Sequence, residues 1–442
     1  MNLRVMTEYV ARPAHIMRLA GAAAAVGCLM RTAVAEVDIP PRERLVTALQ
    51  SYTRYLDLPP DTRAATNPPA FEYPPLSREE AARWRAALWD AWREVVRLRR
   101  AQPGHAKDPL KTGRGAVQAL FHESPGRSTA YSMRYRLRRY GRKPDDGWPL
   151  FVNLHAGGNS KADNDRSWAL IQKHYPIKVG LYVTPRSVKD TAESWYEPST
   201  YILLQRLLNE ALALWSVNPN RVYLMGYSMG GWGTFHLGPS IPDRWAAVAA
   251  SAGAGFVGPT GRSAPDNLRN TPMMIQIGTR DYDFNRYPLS KSFAEALQTL
   301  HAQDPGGYTL KFKEHRGKGH AIDDRDTPRW LARFTRDPLP EKIVWQQVIP
   351  IPGVTMKRLN AKLREDFAFR QYFRPRCYWL RNPRPRGFQR VVATREDNVF
   401  RLDETRYIEN LAIMVDDRLA DLDRPVVVSA GGRVLFSNTV PR

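Results

Sequence analysis

The residue types that could do chemistry cluster first at Arg221–Gly231, RVYLMGYSMGG, where an apolar run leads straight into Gly226-Tyr227-Ser228-Met229-Gly230 and then into a helical pattern. A nucleophile at the tip of a strand-to-helix turn needs tight, partly strained backbone, and a glycine on each side removes the side chains that would clash there. Ser228 is the expected nucleophile. Its hydroxyl needs a base to take the proton and a third group to orient that base. Downstream, Gly278-Thr279-Arg280-Asp281 follows the apolar run Met273–Ile277, and Gly317-Lys318-Gly319-His320 follows Tyr308–Phe312. His320 is the expected base, with His315 nearby as the competitor. Asp281 is the expected acid, with Asp283 in the same loop as the alternative.

Acyl transfer also needs N–H donors aimed at the developing oxyanion. Leu154-His155-Ala156-Gly157-Gly158 closes an earlier apolar run, Pro149–Leu154. The N–H of Met229, with one from Ala156 or Gly157, is the expected hole. No Lys-Ser/Thr follows these glycines as a phosphate-binding loop would require. Trp168, Trp195, Tyr196, Tyr227 and Trp232 flank the motifs and are candidates for an aromatic substrate cleft, against plain packing. Arg280 and Arg286 are candidates to clamp a substrate carboxylate, against a salt bridge to Asp283.

These residues need a scaffold that brings distant strand ends together. Strand-like runs at 179–183, 221–225, 246–250, 273–277 and 308–312 alternate with helical stretches at 201–215, 230–237 and 289–300. That alternation predicts an α/β fold, a mostly parallel sheet with helices on both faces. Tyr131, Met133, Tyr135 and Leu137 alternate with polar residues and predict a strand before it. Upstream, Ser77 and Glu80 make a capping box, and Trp84, Leu88, Trp92 and Val95 share one helical face. Residues 59–75 hold six prolines and read as an extended connector. After Trp345 short alternating runs and a Gly431-Gly432 turn predict a small β module ending in a hairpin. The expected organisation is an export segment at 1–35, a helical extension at 36–125, a catalytic domain at 126–349 and a β module at 350–442.

With these motifs the chain resembles the α/β-hydrolase superfamily, and more narrowly the secreted bacterial esterases of the polyhydroxybutyrate-depolymerase-like and dienelactone-hydrolase-like kind. The likeness is carried by LHAGGN (154–159), NDRSW (164–168), VTPR (183–186), NPNRVYLMGYSMGGWG (218–233), LRN (268–270), GTRDYDFNR (278–286), GKGH (317–320) and DPLPEKIVW (337–345), and spans roughly 75 to 442. The closing DLDRPVVV and GGRVLF resemble the β module that such proteins carry. Ala156 departs from the glycine usual there, and Met229 from the more common alanine. The resemblance implies the α/β-hydrolase fold and the chain order Ser, Asp, His.

Composition sets the outer bounds. The chain has 442 residues, 43% hydrophobic and 25% charged, which excludes a disordered or polytopic membrane protein. Its formal charge is +22, and 14 of the 66 basic residues are lysine, leaving 66 − 14 = 52 arginines. No basic block interleaved with aromatics and no nucleic-acid-binding motif accompanies that charge, so nucleic acid is not an expected partner. An acidic polymer or an anionic cell envelope fits it better. Arg4, Arg12 and Arg18, the apolar stretch Leu19–Met30 and Ala33-Val34-Ala35 read as a cleaved export signal, with Ala25-Val26-Gly27-Cys28 as a loose lipoprotein alternative. Twelve apolar residues are too few to span a bilayer comfortably. Cys377 would be the only thiol left after cleavage, expected in the core, and no Cys/His spacing suggests a metal site.

The expectation is therefore an exported serine hydrolase that cleaves carboxylic esters, a polymer or carbohydrate ester among them, and that needs neither metal nor organic cofactor. An exported peptidase of the same superfamily is the second enzyme reading, disfavoured because no propeller or other gating domain is evident. A non-catalytic envelope-binding protein is the reading outside enzymology.

Overall fold

The computed structural model describes residues 2–7, 38–59, 75–101, 108–124, 126–257, 264–347 and 373–442, with single residues at 62, 66 and 69. In chain order, β1 (Asn2–Thr7) is followed by helices α1 (Arg42–Leu56) and α2 (Arg78–Arg100) and the strands β2 (Arg114–Ser124) and β3 (Arg127–Tyr140). Then come β4 (Trp148–Leu154), α3 (Lys161–Ile171), β5 (Gly180–Pro185), α4 (Pro198–Leu214), β6 (Val217–Tyr227), α5 (Met229–Ser240), β7 (Ala247–Ser251), β8 (Met273–Gly278), α6 (Arg286–Gln303), β9 (Leu310–His315), β10 (Lys342–Gln346), β11 (Arg376–Cys377), β12 (Leu380–Arg381), β13 (Arg390–Glu396), β14 (Val399–Arg406), β15 (Asn410–Val415), β16 (Val426–Ala430) and β17 (Arg433–Asn438).

Among the described residues, β2 to β9 form one sheet in the order β2-β3-β5-β4-β6-β7-β8-β9. β2, β3 and β5 pair antiparallel, and every pairing from β5 to β9 is parallel. This is the strand order of the α/β-hydrolase fold. β4, β5, β7 and β8 are buried along their whole length because helices cover both faces, so they read as continuous apolar runs rather than alternating ones. One face packs Leu150, Val152, Leu224, Val248 and Ile275 under α4 and α5. The other packs Phe151, Tyr223, Met225 and Met274 against Ile171 and Trp330.

Two strands fall outside the expected boundaries. β2 joins the catalytic sheet, although the helical extension was expected to run to 125; its alternation of Val117, Ala119 and Phe121 is muted by the small residues Gly115 and Ala116. β10 (Lys342–Gln346) pairs antiparallel with β13 (Arg390–Glu396) and so belongs to the C-terminal sheet rather than to the hydrolase body. In that module β16 (Val426–Ala430) and β17 (Arg433–Asn438) form the expected hairpin, and Gly431 and Gly432 both have positive φ, 55° and 76°. Cys377 is buried in the module's core. β1 pairs in parallel with β15 (Asn410–Val415), which places the first residues of the expected export signal beside the C-terminal module. The apolar stretch, the cleavage site, Cys28 and most of the proline-rich connector lie outside the described residues.

The helical lead-in packs as its stripe predicts. Ser77 and Glu80 cap α2 reciprocally, and Trp84, Leu88, Trp92 and Val95 are buried with Leu45 and Leu49 of α1. Its other end is tied down by a buried polar triangle. Arg100 bonds Glu210 of α4 and reaches the Tyr135 hydroxyl at 3.2 Å, and that hydroxyl donates to Glu210 at 2.8 Å. Burial pushes the Glu210 carboxyl above its ordinary pKa, against the opposing pull of Arg100. Replacing the cation strands a carboxylate in the core. Arg100→Met is expected to cost about 3 kcal/mol or more in urea unfolding, while Arg97→Met on the exposed side of the same helix should cost less than about 1 kcal/mol.

Candidate active site

β6 runs without interruption into Ser228, which adopts φ 55° and ψ −117° and forms the N-cap of α5. A non-glycine residue holds this conformation only where its surroundings enforce it. Here they do: a Cβ on Gly226 would lie 2.2 Å from the Gly230 carbonyl oxygen, and one on Gly230 would lie 2.1 Å from that of Leu154. Gly226 thus lets the turn close onto α5, and Gly230 lets α5 press onto the end of β4. The Ser228 N–H donates to the Ser251 carbonyl at 2.9 Å, extending the β6–β7 ladder to Ser228. The N–H of Met229, the first residue of α5, has no intrahelical acceptor and sits at the positive end of the helix dipole.

β8 and β9 deliver the other two groups. The backbones of their loops touch: the Arg280 N–H donates to the Lys318 carbonyl at 2.9 Å, and a Cβ on Gly278 would meet the Gly319 oxygen at 2.1 Å. This brings the His320 Nε2 to 2.9 Å from the Ser228 Oγ and the His320 Nδ1 to 2.8 Å from the Asp281 Oδ2. Asp281 is buried, whereas the Asp283 side chain is 82% exposed and points at the Arg286 guanidinium from 3.5 Å. His315 faces Gln276 instead of the serine. The geometry therefore joins the three expected residues in one hydrogen-bonded chain and leaves the alternatives outside it.

The loop after β4 is held by two buried side chains. Asn164 of α3 accepts the Gly158 N–H at 3.0 Å and donates to the Gly158 carbonyl at 3.0 Å. A Cβ on Gly157, which has φ 147°, would strike the Asn164 Oδ1 at 1.9 Å. His155 bonds the Ala156 carbonyl through Nδ1 at 2.5 Å and accepts the Ser187 N–H on Nε2 at 3.0 Å. Burial pushes the His155 pKa down to about 4, against a partial offset from its bond to Ala156. The ring is therefore neutral at pH 7 with its proton on Nδ1, so that bond is a donation.

The aromatic candidates divide. Trp195 is fully buried, stands edge-on to His155 with ring centroids 5.2 Å apart and donates to the His155 carbonyl, so it braces the loop and lines no cleft. Trp168 is buried too, donating to the Thr184 carbonyl beneath the guanidinium groups of Arg134 and Arg136. Tyr227 is half-buried and spends its hydroxyl on the base loop, donating to the His320 carbonyl at 2.5 Å and accepting the Ile322 N–H. Trp232 is half-buried against Phe256, and Arg280 is exposed. Arg286, expected at a substrate carboxylate or at Asp283, reaches Asp283 at 3.5 Å and contacts Asp281 more closely, with Nε at 2.8 Å. Sequence reasoning did not single out Asn164, although it lies in the NDRSW run. It also missed Asp324, a fully buried carboxylate that takes the Tyr175 hydroxyl at 2.6 Å and the His174 Nε2 at 2.8 Å and so pins the far end of the base loop. A cavity of about 530 Å³ lies at the other, amino-terminal end of the strands, lined by Trp89, Trp92, Arg244 and Arg336, and touches none of these residues.

Among the described residues no helix is long and apolar enough to cross a membrane, and no cluster of His, Cys, Asp and Glu side chains could hold a metal ion. No protein-family model matches the sequence, and no curated protein does. Solved structures similar to part of the chain include a thermostable esterase, at 19% identity and a TM-score of 0.37 over 50% of this chain and 63% of that one. A poly(3-hydroxybutyrate) depolymerase from Bordetella parapertussis aligns at 21% identity and a TM-score of 0.37, over 51% and 91%. A prolyl endopeptidase aligns at 14% and 0.31, over 48% and 36%. The fold assignment rests on the strand order and the turn at Ser228 rather than on these partial likenesses.

Two outcomes follow from this geometry. Asp281→Asn is expected to lower turnover by roughly 10³-fold or more, and Asp283→Asn by less than about twofold, in parallel steady-state assays. Below its unfolded pKa of 6.5 the unfolded chain protonates His155 while the fold holds it neutral down to about 4. Its contribution is therefore present above pH 6.5 and lost as pH falls to about 4, amounting to about 3 kcal/mol. His155→Gln, which keeps an acceptor for Ser187, should remove that part of the slope in urea unfolding followed against pH.

Proposed function

We propose that this protein is a serine hydrolase that cleaves carboxylic esters through an acyl-enzyme intermediate. The observation that carries the reading is the continuous chain from Ser228 Oγ to His320 Nε2 at 2.9 Å and from His320 Nδ1 to the buried Asp281 at 2.8 Å. His320 takes the Ser228 proton as the oxygen attacks the ester carbonyl. The resulting oxyanion is met by the N–H of Met229 and by one from the loop after β4. Gly157 supplies the better second donor: the Ala156 carbonyl is turned to the buried His155 ring, so the N–H across that trans peptide points the opposite way. The intermediate collapses as His320 returns its proton to the leaving alcohol, and water, deprotonated by the same imidazole, releases the acid.

Trp232 and Arg280 remain the candidates for contact with the acyl or alcohol part, since Trp168 and Trp195 are buried and the hydroxyl of Tyr227 is committed to the base loop. Export rests on the sequence of residues 1–35. A polymer or carbohydrate ester as the natural substrate belongs to the same proposal. The reading is tested with matched nitrophenyl esters and peptide nitroanilides of graded acyl size, using the protein and its Ser228→Ala variant. Ester turnover is expected, falling at least 10³-fold in the variant. Serine-dependent turnover of the anilides alone would replace the esterase by a peptidase, and turnover equal in both proteins would overturn the assignment of Ser228.

A further inference from the structure

Resting on the serine-hydrolase reading, we infer that Arg286 is a positioning residue of the triad: its guanidinium fixes the rotation of the Asp281 carboxylate so that a single oxygen faces the base. The Nε of Arg286 donates to the Asp281 Oδ1 at 2.8 Å, and its Nη2 lies 2.6 Å from the same oxygen. The Oδ2 is left for the His320 Nδ1, at 2.8 Å. A carboxylate has two equivalent oxygens and can turn about its Cβ–Cγ bond. One oxygen held twice by a planar, permanently charged fork cannot trade places with the other. A lysine, a point charge on a flexible stem, would not impose that geometry.

The local sequence is otherwise poorly chosen for its own backbone. Arg286 is the first residue of α6, where a cation opposes the helix dipole. Just before it, Phe284 and Asn285 are both left-handed, with φ 54° and 57°, and Phe284 is left 80% exposed with the guanidinium carbon 5.4 Å from its ring centre. These left-handed residues turn the chain back so that the Tyr287 N–H reaches the Asp281 carbonyl at 2.9 Å and the first residue of α6 faces the acid. Local preferences that all lose at one place mark a position held for function. A substrate clamp does not fit, because the guanidinium is buried and already engaged by Asp281. A plain surface bridge to Asp283 does not fit either, because that carboxylate is the more distant and the solvated partner.

The test reads the nucleophile directly, through the rate at which a fluorophosphonate labels Ser228, alongside kcat and KM on a nitrophenyl ester. The proteins compared are wild type, Arg286→Ala, Arg286→Lys, Asp281→Asn and the Asp281→Asn/Arg286→Ala double variant. Arg286→Ala is expected to lose roughly 10²-fold in labelling rate and in kcat, with KM little changed. Guanidinium chloride at sub-denaturing concentration should restore part of that loss where sodium chloride of equal ionic strength does not. In the Asp281→Asn background the same replacement should change the labelling rate less than about twofold, since its target is gone. An equal loss in both backgrounds, or a rise in KM at constant kcat, overturns the inference. Should Arg286→Ala not fold, Arg286→Lys decides: an intermediate loss in kcat is expected, and wild-type behaviour overturns it. A wild-type protein whose Ser228 is not labelled would overturn the serine-hydrolase reading, and this inference with it.

Discussion

One imidazole has to reach a hydroxyl at the end of β6 and a carboxylate at the end of β8 while itself hanging from the end of β9. Hydrogen-bond range allows only a few tenths of an ångström of error at each contact. That tolerance explains why backbone meets backbone throughout this end of the sheet. The loops that carry Asp281 and His320 touch where Gly278 meets the Gly319 carbonyl, and the turn that carries Ser228 closes on α5 at Gly226 and lies against β4 at Gly230. A single Cβ on Gly226, Gly230 or Gly278 would push one partner out of range. The order of parallel strands puts these ends side by side, and the glycines bring them into contact.

Contact alone would leave the loops free to rock, and buried polar clamps remove that freedom. The base loop is fixed at its middle by the Tyr227 hydroxyl and at its far end by Asp324, itself satisfied by Tyr175 and His174. The loop that presents Ala156 and Gly157 is fixed by Asn164 on one side and by neutral His155 on the other. Asn164, His155 and Asp324 are buried and multiply bonded, so removing one partner leaves another group unpaired in a low-dielectric setting, and the half-buried Tyr227 adds two bonds from its hydroxyl. The same arrangement accounts for two aromatic rings that the sequence left open between a substrate cleft and plain packing. Trp195 and Trp168 lie next to the motifs because they brace those motifs from behind.

The sequence exposed what depends on local pattern. The glycines around Ser228 announce a tight turn, the apolar runs announce buried parallel strands, and the Ser77–Glu80 box announces a helix start, because each is decided by neighbours in the chain. What stayed hidden depends on pairs distant in sequence. β2 looked featureless because Gly115 and Ala116 blur its alternation, and only pairing with β3 reveals it. β10 sits beside the hydrolase in sequence yet finds its partner in β13, some fifty residues on. Asp281 is the expected acid and Asp283 the alternative in the same loop, and only burial of the first beside His320 separates them in space.

The excess of arginine takes on a different meaning once the side chains are placed. Read as composition, it suggests a surface that attracts polyanions. In the fold, several guanidinium groups are instead interior forks that join segments far apart in the chain. Arg186 holds Asp165 and Asp190 beside the loop after β4, and Arg100 ties α2 to α4. Arg374 reaches from the C-terminal module to Tyr201 and Asp243, while Arg390 spans Asp266 and Glu404. A planar group that carries five donors and stays charged suits this work, since it can satisfy two partners while remaining buried. Arg286 is the same device applied to Asp281. The count of 52 arginines therefore overstates the guanidinium groups available to a partner, but the net charge of +22 is not lowered by it, because each of these forks is matched by at least one carboxylate.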